Sequence, residues 1–393
     1  MTAREQAGRG VYRGRQVMTI SRRQRWALHA VVTLLTLLLV LEVGVRVSYT
    51  LDGGVPPAAD ESLEQEWRWA REHLAAGAAV LASRFVHDPL AGWRNAPGLR
   101  EDGLTTNSAG MRGSQEFALE RRPGVRRMLL VGDSYTFGAN VRDEETFAQR
   151  LDAGDLLEGW EVLNMAVSGT GTDQQSIVFE EYGSRYAPDV AVLGFFTRDY
   201  SRNILWFRDY AKPMFVVDAA VQPDGLRLTR SPVIAPEGLY EAYATGQRRI
   251  GGSSAESWAL SAFFAGRRSL GEWSVGPGVP AWEILSRLMA RFQRLAHEAG
   301  ATPVWLVIPS RDCLDVGGST MAALEEACER RARELGLACL RLDAAFRAHA
   351  AAHPQDAIYR ASSEGGHLSA VGNRIAAEEL ARLVRGLDLQ AAR

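Results

Sequence analysis

The run Arg126-Arg-Met-Leu-Leu-Val-Gly-Asp-Ser-Tyr-Thr-Phe-Gly138 decides the fold. Its short apolar stretch, stopped by Gly132 and Asp133, predicts a buried strand. Ser134 then stands just past the strand end, at the start of a helix. That place suits a nucleophile, because the serine's own N–H and the helix N-terminus help hold an oxyanion. The plainer alternative is a tight strand-to-helix turn capped by the serine.

Outward from this run, the same rhythm repeats. Val162-Leu-Asn-Met165, Val190–Phe196, Val304–Ile308 and a weaker Ala338–Leu342 read as further strands. Helical stretches separate them, notably Asp173–Arg185, Trp282–Ala299 and Ser319–Leu335. Strands alternating with helices predict an α/β fold: a three-layer α/β/α sandwich around a parallel sheet of about five strands. In such sheets the site lies at the carboxyl ends of the strands. The rhythm breaks between Tyr200 and Pro280. There, Met214–Val221 and Leu226–Thr229 flank Pro223-Asp-Gly225, a hairpin signal. The stretch at about 201–280 reads as an insertion beside the site.

The far end of the chain supplies a partner for Ser134. Glu364-Gly-Gly-His367 opens a C-terminal amphipathic helix. A histidine in a glycine-flanked loop is exposed and orientable, and a carboxylate three residues earlier can hold its other nitrogen. A helix-capping arrangement without catalysis is the alternative.

Together these two ends resemble the SGNH/GDSL hydrolase superfamily, in the form of its membrane-anchored bacterial members. The resemblance continues between them, over about residues 85–388. Asn164-Met-Ala-Val-Ser-Gly169 is similar to the superfamily's second block, which implies an oxyanion N–H from Gly169. His87-Asp-Pro-Leu-Ala-Gly-Trp93 and Thr106-Asn-Ser-Ala-Gly-Met-Arg112 resemble its lead-in. The implied roles are Ser134 as nucleophile, His367 as base and Glu364 as the acid that orients it. The oxyanion would sit between the N–H groups of Ser134 and Gly169. Two positions depart from the pattern. Arg198 stands where the third block carries an oxyanion asparagine; it can donate instead, or Asn203 can substitute if the loop is remodelled. Glu364 stands three before His367, where an aspartate is usual; a Ser-His dyad is the alternative.

The charge is unevenly placed. The whole chain sums to −2, but residues before Trp26 hold seven arginines and one acid, leaving −8 for the rest. A large acidic part argues against a nucleic-acid binder. Trp26–Leu41 carries no charge, and counting through Val47 reaches the roughly 20 residues a bilayer core needs. Flanking arginines predict a cytoplasmic N-terminus. An uncleaved anchor is the first reading, with a cleaved export signal and a buried core helix as alternatives. The organisation is then a basic tail (1–25), an anchor (26–48), a linker helix (49–84, with Leu63, Trp67 and Leu74 at helical spacing) and the SGNH-like domain (85–390). Cys313, Cys328 and Cys339 allow one disulfide if the domain is exported. No spacing suggests a metal, and no cofactor is expected.

The expected function is a membrane-anchored, extracytoplasmic serine esterase or acyl hydrolase. Its substrate would be an ester-bearing glycan, lipid or small molecule. An O-acyltransferase using the same site is one alternative. A catalytically degraded binding protein of the cell envelope is the other. An acidic domain gives no overall electrostatic reason to seek an anionic partner.

Overall fold

The computed structural model describes residues 21–51, 61–78, 81–153, 156–250, 275–315, 320–361, 366–387 and 389. Five strands form the central sheet: β1 Arg126–Gly132, β2 Trp160–Asn164, β3 Val190–Phe196, β4 Thr302–Ile308 and β5 Ala338–Arg341. Their order is β5-β4-β3-β1-β2, and every neighbouring pair is parallel. The order reverses between β1 and β3. The chain therefore leaves these two strands toward opposite faces and opens a crevice above their carboxyl ends.

Alternation along β3 divides the core. Val190 and Val192 face one cluster, while Ala191, Leu193 and Phe195 face the other. On the second side pack α5 (Thr172–Val178), α7 (Pro280–Glu298) and α8 (Thr320–Leu335), through Ile177, Leu288, Phe292 and Leu324. On the first side pack α4 (Phe147–Asp152), α9 (Asp343–Ala352) and α10 (Ala370–Arg385), through Phe147, Phe346 and Leu380. Each such side chain contributes about 1.5–3 kcal/mol of burial energy. Both faces are covered, as a parallel sheet requires.

Two strands start earlier than hydropathy predicts. β2 begins at Trp160 because Glu161 is buried against Arg127 (2.7 Å) and Arg122 (2.8 Å). An internal ion pair thus hides an acid that reads as an outside residue. β4 takes in Thr302 and Pro303, with Pro303 in register opposite Ala191.

The insertion contains the expected hairpin, Met214–Val217 against Leu226–Thr229, and a helix at Pro236–Ala244. The expected helix before the domain is α2 (Glu61–Ala76). Its buried face is Ser62, Glu66, Trp69 and Ala70 rather than the Leu63, Trp67, Leu74 line. The reason is specific pairing. Glu66 accepts from Tyr243 (2.6 Å) and Arg248 (2.6 Å), and Trp69 packs with Phe207 and Tyr210. The helix is docked on the insertion rather than free of it. Further upstream, α1 (Arg22–Leu51) contains Arg22–Leu41, which by length and composition is long and apolar enough to cross a membrane. Cys328 and Cys339 are free thiols.

Candidate active site

The serine turn is built by close packing. β1 and β3 place Gly132 opposite Gly194, and a Cβ at either would meet the Thr136 side chain. Two bare glycines thus let α3 (Ser134–Phe137) sit directly on the strand ends. Asp133 caps this helix by accepting from the Tyr135 N–H at 2.9 Å. Ser134 is its first residue, so its N–H is one of those a helix leaves unpaired.

His367 arrives from the other end of the chain. Arg360 N–H donates to its carbonyl (2.8 Å), and Tyr135 OH donates to the Gly366 carbonyl (3.1 Å). Two residues on, Ser369 caps α10 through the N–H groups of Val371 and Gly372. The result is a Ser134 Oγ to His367 Nε2 distance of 2.9 Å. The Asp133 carboxylate is a longer neighbour of the same hydroxyl, at 3.4 Å. Burial lowers the His367 pKa below its ordinary value; Asp133 opposes this and Arg202 adds to it. His367 Nδ1 is buried and has no acceptor among the described residues. Glu364, the expected acid, lies outside those residues.

Gly169 follows β2 with a φ of +85°, a conformation natural to glycine. Its loop is held from outside. Trp93 Nε1 donates to the Ser168 carbonyl (3.1 Å), Asn95 Nδ2 to the Ala166 carbonyl (2.9 Å), and Arg208 to the Gly169 carbonyl (2.9 Å). Both lead-in segments therefore buttress this loop: Trp93 by direct contact, and Asn107 by accepting from the Met111 N–H in the turn that Asn95 bonds at Gly110. With their carbonyls engaged, the N–H groups of Ser134 and Gly169 stay outside the backbone hydrogen-bond network of the described residues.

The two candidates for a third donor are placed differently from each other. Arg198 lines the cavity rim, exposed, with Asp312 at 3.7 Å. Asn203 is fully buried and its Oδ1 accepts from the Asp173 N–H (3.1 Å). Between them in sequence is Arg202, on α6 (Asp199–Arg202), which the sequence reading missed. Its guanidinium also lines the cavity. It donates to Asp133 (2.8 Å), to Asp199 and to the Thr170 carbonyl (3.1 Å). Burial works against the Arg202 charge, but Asp199 and Asp133 outweigh it and raise its pKa. Burial, helped by Asp133, drives the Asp199 carboxyl well above its usual range.

Below this cluster lies Lys212, the only lysine in the chain and fully buried. It pairs with Asp173 and donates to the carbonyls of Arg202 (3.2 Å) and Leu205 (2.9 Å). One lysine in a chain that otherwise uses arginine is a sequence signal that compositional totals conceal. The cavity above the cluster has a volume of about 620 Å³. No group of three or more His, Cys, Asp or Glu among the described residues is arranged to hold a metal ion.

No protein-family model matches the chain, and no curated protein is significantly similar to it in sequence. Solved structures are similar to it at low identity. TesA shares 12% identity over 66% of this chain and 98% of its own, with a TM-score of 0.38. A member of the lipolytic G-D-S-L family from Veillonella parvula shares 13% over 67% and 100%, with a TM-score of 0.38. The acetyl xylan esterase AlAXEase shares 13% over 66% and 99%, with a TM-score of 0.36. The chain itself is a three-layer α/β protein whose serine turn, glycine loop and histidine loop, gathered over the carboxyl ends of the strands, resemble the SGNH/GDSL hydrolase superfamily.

Proposed function

We propose that the protein is a serine ester hydrolase of the SGNH type, held at the cytoplasmic membrane by α1 with its domain outside. The observation that carries the reading is the 2.9 Å contact between Ser134 Oγ and His367 Nε2, made by residues 233 positions apart. Such a pair activates a hydroxyl that is otherwise a weak nucleophile. The topology rests on the arginine-rich tail and the apolar helix that follows it.

In this mechanism Ser134 Oγ attacks the ester carbonyl and its proton passes to His367 Nε2. The oxyanion is held by the N–H groups of Ser134 and Gly169. The buried Arg202 cation stands one hydrogen bond behind Asp133 and holds that carboxylate beside the Ser134 hydroxyl. Collapse breaks the bond to the alcohol, which leaves with the proton from His367. Water then attacks the acyl-serine and His367 takes its proton; the acyl–Oγ bond breaks, His367 returns that proton to Ser134 Oγ, and the acid is released. A low His367 pKa suits this role, because the base stays neutral and ready at mildly acidic pH.

The test is hydrolysis of p-nitrophenyl acetate by the wild type, Ser134→Ala and His367→Ala. Rates that fall together in both variants support the reading. Equal rates in all three remove it for this ester.

A further inference from the structure

The cavity over Ser134 is cationic in a domain that is acidic. Five arginines line it: Arg84, Arg198, Arg202, Arg208 and Arg311. Asp209 and Asp312 are the only carboxylates among its described lining residues. The chain beyond its basic tail nonetheless sums to −8. Arginines from three separate stretches of chain thus line one cavity, against the balance of the domain that carries them. Burial, with the neighbouring Arg202 charge adding to it, holds Arg208 below its ordinary pKa.

The arginines differ in what already engages them. Arg84 gives both Nε and a terminal nitrogen to Glu101. Arg202 is committed to Asp133 and Asp199, and Arg208 to Asp209 and the Gly169 carbonyl. Arg198 is different. Its one described partner is Asp312 at 3.7 Å, beyond hydrogen-bond length, with the two side chains 57% and 68% exposed. Its donor fork is open to the cavity. A guanidinium fork matches carboxylate, sulfate or phosphate geometry. A cleft lined by one sign of charge also concentrates the opposite sign.

The rest of the lining limits the acyl group. Tyr135, Ala139 and Phe196 are its only apolar side chains among the described residues. Tyr135 and Phe196 stack on each other at 3.8 Å, so they form one small platform rather than a channel. A fatty chain would lie against charge. The volume of about 620 Å³ leaves room for more than an acetyl group, and most of the side chains around it are charged or polar.

We propose that the ester taken at Ser134 is a short acyl group on an anionic glycan, whose carboxylate or sulfate is held by Arg198 within the arginine rim. This rests on the ester-hydrolase reading and names its substrate class. The polar lining favours a saccharide carrier over a lipid.

Two matched acetate esters test it on the full-length, detergent-solubilised protein: 4-acetoxybenzoate and its neutral methyl ester. The expected kcat/KM favours the anionic ester by about tenfold at low salt, the scale of one charge-assisted contact. That preference shrinks at 0.3 M NaCl, a setting chosen to bring the Debye length below about 8 Å. It also shrinks several-fold in Arg198→Gln, with an unchanged Tm showing that the variant is folded. Equal rates for the two esters, or a preference that survives in Arg198→Gln, overturn the anion site while leaving the hydrolase reading intact. If neither ester is cleaved, the hydrolase reading fails and the inference fails with it. As competitors of the anionic ester, an acetylated oligouronate is expected to inhibit and phosphatidylglycerol vesicles are not. Inhibition by the vesicles alone would overturn the glycan in favour of a lipid headgroup.

Discussion

The rim of the site and its floor are built on different physics. The rim is Ser134 and His367, a buried serine and a half-buried histidine that line the cavity, brought by opposite ends of the chain to 2.9 Å. Each stands on its own local device: a capped helix start for Ser134, and a glycine-led loop before a capped helix for His367. The floor is Asp133, Arg202 and Asp199, with Lys212 and Asp173 beneath. Its groups are almost wholly buried, and each is tolerable only because the others are there. Burying one such charge unpaired is expensive, and even a complete pair gives little net stability. On the proposed reading the rim carries the chemistry, whereas the floor fixes where the rim stands and what field it feels.

If that division holds, the largest effects should separate cleanly. His367→Ala is expected to lower kcat by about 10³-fold or more, as removal of a member of such a unit does, with little change in Tm. Arg202→Gln is expected to do the opposite first. It strands Asp133 and Asp199 and should destabilise the fold by about 3–5 kcal/mol, read by urea unfolding. A kcat loss from Arg202→Gln with undiminished stability would move Arg202 from floor to rim.

Lys212→Met sharpens the same contrast away from the reacting atoms. Alone, it leaves Asp173 buried and unpaired and should cost about 3–5 kcal/mol. Combined with Asp173→Leu, most of that loss should return, because a buried pair replaced by apolar groups is often neutral. A double variant as unstable as the single one would show that the pair does more than satisfy itself.

The rim and the floor also meet in the pH profile. Burial lowers the His367 pKa, so the neutral base persists to lower pH than an ordinary histidine allows. The acidic limb of kcat/KM should therefore fall below about 6.5, the unperturbed value. Arg202 contributes to that lowering, so any folded Arg202 variant should shift the limb upward. A limb at or above the ordinary value in the wild type would contradict the placement of His367. The smallest expected effect is that of Glu364→Gln. On the Ser-His dyad alternative the loss in kcat stays within about tenfold, and a loss on the scale of a triad acid would instead give Glu364 the orienting role.

Legibility in the sequence follows the same division. The sheet could be read because β1 and β3 are continuous apolar runs ended by turn residues. Ser134 and His367 could be read because their settings are local in sequence. Glu161 could not, since its burial is made acceptable by Arg127 on the neighbouring strand and by Arg122 just before that strand. The face that α2 buries failed for a similar reason: Glu66 is matched by Tyr243 and Arg248 from far along the chain. Arg202 could not be read, since its place is set by Asp133 and the Thr170 carbonyl, which only the fold brings to it, whereas Arg198 stands at the expected asparagine position four residues earlier. One turn of α6 sends the later arginine inward and leaves the earlier one at the rim. The charge total misled in the same way, since a net acidic domain turned out to hold a cationic cavity. Tertiary pairing decides such positions, and no period or composition carries it.

The central claim is that Ser134 is a nucleophile activated by His367. Fluorophosphonate labelling of the full-length, detergent-solubilised protein, with the adduct located by mass spectrometry, tests it most directly. The account predicts one adduct, on Ser134, absent from Ser134→Ala and formed much more slowly in His367→Ala. A folded wild-type protein that takes no label, or takes it equally well without Ser134, would contradict it.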